Sequence, residues 1–250
     1  MKIGVHGDSF TMAKQEYQHE SSWFEFLAEN HNHNVTTFGI NGASLFYSMQ
    51  LFLKNHHLFD RNIFAITNPH RFVIPDHIPN YPQHLKYVCG LYSTEVFQLD
   101  AKQLFYSAEV LHTLKSAENY ILHLQDDEYE LHIHQLMVEQ ITRIRPDTIL
   151  MPCFSSSIQD TKSLPLLIIN EIENTTLGKN WNKDWEVLIR NKIDTRRCHM
   201  NEENNLMISK KIVGCIETGE SFHLDQHDIL LPKESIIKYF IPRYEPIITT

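Results

Sequence analysis

Lys2-Ile3-Gly4-Val5-His6-Gly7-Asp8-Ser9-Phe10 decides how this chain is read, because a short apolar run is followed at once by a glycine, an acid and a serine. The β-branched residues Ile3 and Val5 around Gly4 predict a strand buried on both faces, and the polar residues after it predict a turn at the strand's carboxyl end. Working outward, Val35–Phe38, Ile63–Ile66 and Thr148–Met151 are short runs of the same kind, bounded by polar, Gly, Pro or Asn residues. Between them Trp23, Phe24, Leu27 and Ala28 form one helical stripe, and Leu45, Met49 and Phe52 or Leu53 form a second that begins after Ser44. Strands alternating with amphipathic helices require right-handed crossovers and a parallel sheet covered on both sides. The expected class is therefore α/β, a three-layer α/β/α sandwich around a mainly parallel, flavodoxin-like sheet.

After the third strand the pattern breaks. Pro75, Pro79 and Pro82, with Tyr81, Tyr87 and Tyr92, interrupt any regular element between 72 and 99, which predicts an insertion over the sheet edge and the mouth of a site. Helical periodicity returns with Leu104, Ala108, Leu111 and Leu114, then with Ile133, Met137, Ile141 and Ile144, and stops at Arg145-Pro146; the two helices meet near Asp126-Asp127. Asn201 is placed to cap a further helix with Glu202 and Glu203 in its first turn and Leu206, Ile208 and Ile212 among its apolar positions. From 217 to 250 the periodicity fades, and Pro232, Pro242 and Pro246 predict a C-terminal extension wrapped on the body or onto a partner, such as a second copy of the chain. The whole of 1–250 reads as one domain.

The composition narrows the function. With 42% hydrophobic and 21% charged residues over 250 positions, the chain has the make-up of a globular protein with a sizeable core. Its 22 Lys and Arg against 31 Asp and Glu leave a net charge of −9, which argues against nucleic acid as a partner. Cys89, Cys153, Cys198 and Cys215 are widely spaced and form no C-x-x-C pair, so buried free thiols are expected. The N-terminal apolar stretch is shorter than a signal sequence, and no run reaches the roughly 18 apolar residues of a membrane span, so a reduced, cytoplasmic setting is expected.

Chemistry concentrates at predicted strand ends. Ser9 follows the first strand at the carboxyl edge where open α/β sheets place their sites. Gly39-Ile40-Asn41-Gly42-Ala43-Ser44 ends the second strand, and its glycines let backbone N–H groups approach a ligand. Thr67-Asn68-Pro69-His70-Arg71 ends the third and sets an Asn amide at the same edge; Cys198-His199-Met200-Asn201 places a histidine just before the last helix. A nucleophile, a glycine turn, an amide and a histidine in this order are the parts for acyl transfer. Read by itself, Gly7-Asp8-Ser9 is a common turn, and Asp8 is expected to brace it by accepting local backbone hydrogen bonds. Arg71 either reaches the rim to bind a substrate carboxylate or phosphate, or forms a surface ion pair. His56-His57 and His132-Ile133-His134 read as surface histidines, since i, i+2 spacing on a helix points two rings to different faces and no metal set accompanies them.

These four blocks resemble those of the SGNH (GDSL-like) hydrolase family over roughly residues 1–71 and 148–214. Gly7-Asp8-Ser9-Phe10 is similar to the nucleophile block, Gly42 to the glycine of the second, Asn68 to the asparagine of the third, and His199 with Met200-Asn201-Glu202 to the histidine block. The resemblance implies a serine ester hydrolase without cofactor or metal. Ser9 would be its nucleophile, His199 its general base, and the Ser9 and Gly42 N–H groups with the Asn68 amide its oxyanion hole. The expected substrate is a small or carbohydrate-linked ester. Two departures stand out. Ile66 and Pro69 flank Thr67-Asn68 where the family has Gly-x-Asn-Asp, and Arg196 occupies the position three before His199 where the family has aspartate. Asp194 is the nearest upstream carboxylate, so the residues allow a triad through Asp194 or a Ser9–His199 dyad. Thr-Asn-Pro-x-Arg after the third strand, with the later Cys-His-x-Asn-x-Glu-Asn, also resembles GDSL-like proteins encoded by bacteriophages. The alternative is a catalytically degenerate binding or structural protein of the same fold.

Overall fold

The computed structural model describes residues 1–13, 21–40, 42–71, 126–154 and 203–225, with isolated positions between 112 and 124 and at 163, 166 and 202. Its regular elements are β1 (Lys2–His6), α1 (Trp23–His31), β2 (Asn34–Thr37), α2 (Leu45–Asn55), β3 (Arg61–Ile66), α3 (Asp127–Ile144), β4 (Ile149–Pro152) and α4 (Glu202–Thr218). All four expected strands form within two residues of their predicted bounds, as do the helices expected after Ser44 and before Pro146. The predicted insertion at 72–99, the helix from Leu104, and the extension beyond 225 lie outside the described residues. Two units are distinguished, Met1–Ala13 with His33–Asp160, and Lys14–Asn32 with Thr161–Thr250.

In the first unit the strands pair in parallel in the order β2-β1-β3-β4, the doubly wound arrangement of the predicted α/β/α class. Register sets the two faces. Val5 pairs with Ile63 and Ile63 with Ile149, a fully apolar row, while His6 pairs with Phe64 and Phe64 with Leu150 one step further along. On the second face Phe64 and Ile66 pack with Leu45 and Phe52 of α2 and Val138 and Ile141 of α3, closing one core layer. Burial of side chains such as Phe52, Phe64 and Ile141 contributes about 1.5–3 kcal/mol each. His6 joins this layer as an aromatic residue. Its ring stacks on Phe38 at 4.8 Å and meets the edges of Phe52 and Phe59, while Nε2 bonds Asn62 Oδ1 at 3.1 Å.

Helix ends follow their sequence signals. The Ser44 hydroxyl accepts the Tyr47 N–H at the start of α2, and Asp126 accepts the Tyr129 N–H at the start of α3, each satisfying an N–H that the first turn leaves unpaired. At the other end of α3, Arg145 donates to Asp147 and to the Phe59 and Asp60 carbonyls, and Asp147 also meets Arg61 at the start of β3. The buried stripe of α3 is His134, Val138 and Ile141, rotated from the expected one, with Met137 and Ile144 at its margin.

The second unit contains α1 and α4. Trp23, Phe24, Phe26 and Leu27 of α1 are buried, as are Ile208, Ile212 and Ile216 of α4, and the Asn205 side chain accepts the Trp23 N–H at 3.1 Å. Glu25 accepts the Ser22 N–H at 2.7 Å, and α1 ends on Asn32 at φ 53°. Among the described residues no helix is long and apolar enough to cross a membrane.

Candidate active site

The strand order reverses direction between β1 and β3, so the turns after these two strands flank the switch point at which open α/β sheets bind ligands. Gly7 leaves β1 at φ 149°, and a Cβ there would stand 2.7 Å from Ala65 Cβ on β3, so only glycine fits. Asp8 then caps a single 3-10 turn, Ser9–Thr11: Oδ1 accepts the Phe10 N–H at 3.1 Å, and its carbonyl accepts the Thr11 N–H and hydroxyl. The Ser48 hydroxyl of α2 donates to the Gly7 carbonyl. Ser9, 9% exposed, thus stands at the head of a turn whose backbone is bonded on both sides.

The loop after β2 is fastened to that turn. Gly39 passes so near Thr11 that a Cβ would lie 2.3 Å from the Thr11 carbonyl carbon, and the Thr37 hydroxyl donates to the Thr11 carbonyl while accepting the Gly39 N–H. The Ala43 N–H returns to the Ile40 carbonyl at 3.0 Å across a turn with Gly42 at φ 71°, the left-handed conformation that favours glycine.

After β3, Asn68 Oδ1 accepts the His70 N–H at 2.8 Å, so the NH2 end of the amide is the one free to donate elsewhere. Behind this turn His134 Nε2 lies 2.9 Å from the Thr67 carbonyl, a contact that requires an N–H on Nε2. His134 is therefore not the surface histidine expected from its i, i+2 spacing; it is 1% exposed, because it shares the buried stripe of α3. Burial lowers its pKa to about 4, with nearby His70 acting in the same direction and the Thr67 bond opposing, so the ring is neutral near pH 7.

Arg71 joins the three loops. Its Nη1 lies 2.8 Å from Asp8 Oδ2, 2.8 Å from Thr67 Oγ1 and 3.3 Å from the Ala43 carbonyl, while the Thr67 hydroxyl donates to Asp8 Oδ2 at 2.7 Å. Asp8 is fully buried, and the Arg71 guanidinium lies over the Phe154 ring at 4.9 Å. Phe154 in turn meets Phe10 edge-on. Asp8 braces the turn as expected and also carries this ion pair. Beside the cluster Cys153 is a fully buried free thiol, held protonated by burial and then by the Asp8 charge, whereas Cys215 is free and half-buried.

Of the residues singled out in the sequence, Ser9, Gly42, Asn68 and Arg71 come to one edge of the sheet; His199 and Asp194 lie outside the described residues. Thr67 was named only as part of the third block and given no role, and His134 was read as a surface histidine. The signal for His134 was its position four before Val138 and seven before Ile141, on one helix face.

The first unit is thus an α/β sheet with a serine turn, a glycine turn and an asparagine turn at its carboxyl edge. No protein-family model matches the chain, and no curated protein matches it. Among solved structures it is similar to the crystal structure of an acetyl xylan esterase, AlAXEase, at 14% identity over 92% of this chain and 93% of that one. The TM-score is 0.31.

Proposed function

We propose that the chain is a serine ester hydrolase of the SGNH type acting on a small or carbohydrate-linked ester. The observation that carries this reading is the arrangement of Ser9, Gly42 and Asn68, each one residue from a group that meets Arg71 Nη1. In this mechanism Ser9 Oγ attacks the ester carbonyl and His199 takes its proton. The oxyanion is held by the Ser9 and Gly42 N–H groups and by the Asn68 amide, whose oxygen is already engaged by His70. Collapse breaks the bond to the leaving alcohol, which receives the proton from His199. Water, deprotonated by His199, then releases the acid and restores Ser9. Either Asp194 or a backbone carbonyl orients the imidazole. The Nε and Nη2 groups of Arg71, which no described residue occupies, are available to a carboxylate or phosphate on the substrate.

Fluorophosphonate labelling tests the reading, because only an activated serine reacts. Labelling and p-nitrophenyl acetate hydrolysis are expected in the wild type and should vanish in Ser9→Ala. A folded wild type that is neither labelled nor active points to the degenerate, partner-binding alternative.

A further inference from the structure

We infer that Arg71 is a positioning residue: its Nη1, with Asp8 and Thr67, forms a clasp that sets the spacing of the three oxyanion donors. The inference rests on reading Ser9, Gly42 and Asn68 as those donors. The three acceptors on Nη1 belong to Asp8, Ala43 and Thr67, and each is the immediate chain neighbour of one donor. One nitrogen therefore ties the turn after β1, the loop after β2 and the turn after β3 at the points where their geometry matters.

Nη1 has two hydrogens for three acceptors, so the two 2.8 Å contacts to Asp8 and Thr67 are the strong ones and the 3.3 Å contact to Ala43 is shared. The Thr67 hydroxyl accepts from Arg71 and donates to Asp8, which closes a three-membered ring of charge-assisted bonds. Phe154 under the guanidinium plane limits its rotation. An exposed ion pair would place nothing, but here the acid is fully buried and the arginine side chain 19% exposed, so each loop is held against a fixed point. Displacing catalytic groups by about 1 Å can cost roughly a hundredfold in rate.

The test separates this role from substrate binding and from the serine assignment itself. On the neutral ester p-nitrophenyl acetate, Arg71→Met should lower kcat about a hundredfold with KM within about twofold, and Arg71→Lys should recover at least about tenfold of the loss. If Arg71→Met keeps its kcat on the neutral ester and loses affinity only for anionic esters, Arg71 serves the substrate and the clasp is wrong. Should Arg71→Met not fold, Thr67→Val, which keeps shape and the Asp8–Arg71 pair, should still cost about tenfold in kcat; no change overturns the inference. Amide hydrogen exchange at Ala43, whose N–H is bonded to the Ile40 carbonyl, needs no activity. It should quicken at least about tenfold in Arg71→Met or Thr67→Val, and unchanged exchange refutes the clasp even if Ser9 proves inert.

Discussion

Acidification tests the two buried histidines and has a sign and size that the structure supplies. His6 is fully buried among Phe38, Phe52, Phe59 and Phe64, and His134 is buried behind Thr67. Burial is the main cause in each case and lowers both from 6.5 to about 4. Above pH 6.5 each ring is neutral whether the chain is folded or not. Between 6.5 and about 4 the unfolded chain binds a proton at each site and the folded chain does not, so stability is present above that window and is lost as pH falls through it. Moving from pH 7.5 to pH 5 should remove about 2 kcal/mol per histidine. His134→Gln isolates one of them, since its amide can still donate to the Thr67 carbonyl but does not titrate. In urea unfolding at the two pH values, the variant's loss should be smaller than the wild type's by about 2 kcal/mol. NMR titration of the folded wild type should place both rings below pH 5. An equal acid loss in His134→Gln, or a His134 ring titrating near 6.5, would refute the reasoning.

Phe52→Ala opens a cavity in the layer between the sheet and α2 and should cost about 3–5 kcal/mol, read as a lower urea midpoint with little change in m-value. Gly39→Ala forces a methyl against the Thr11 backbone on the serine turn, so a destabilisation of about 1–3 kcal/mol should come with reduced fluorophosphonate labelling; unchanged labelling at an unchanged melting temperature would show that the two loops are not fastened there. Comparing Asp194→Asn with His199→Ala decides between triad and dyad: an equal loss of ester hydrolysis assigns the triad, and a change below about threefold leaves the dyad.

The sheet was legible because β1, β3 and β4 are largely buried on both faces, so Ile3, Val5, Ile63, Ile66 and Met151 are apolar without alternation, whereas β2, at the sheet edge, alternates exposed and half-buried residues and is not the doubly buried strand expected. Ser44 announced α2 because a hydroxyl before an apolar stripe satisfies the first turn. Polar groups inside the core were harder to see. His134 was read by its neighbour His132, which is exposed, when its partners in space were Val138 and Ile141 on the same helix face. His6 was counted as part of an apolar run although it is a buried imidazole with a bond to Asn62, a pairing 56 residues apart. Asp8 was expected to serve its own turn, and it does; its bond to Arg71 spans 63 residues, and no local pattern encodes a partner that only the pairing of β1 with β3 brings near.

His70 and Asp127 are far apart in the chain, yet His70 Nδ1 lies 3.5 Å from Asp127 Oδ1, and the Thr67 carbonyl is held from α3 by His134. The long excursion between these residues starts and finishes at one place. Joining two such ends by a shorter or unrelated segment changes the closure entropy by only about 0.6 kcal/mol for each doubling of length. The turn that carries Asn68 is thus fixed by its own contacts with α3, so a change in the length of chain joining 71 to 126 leaves that closure standing.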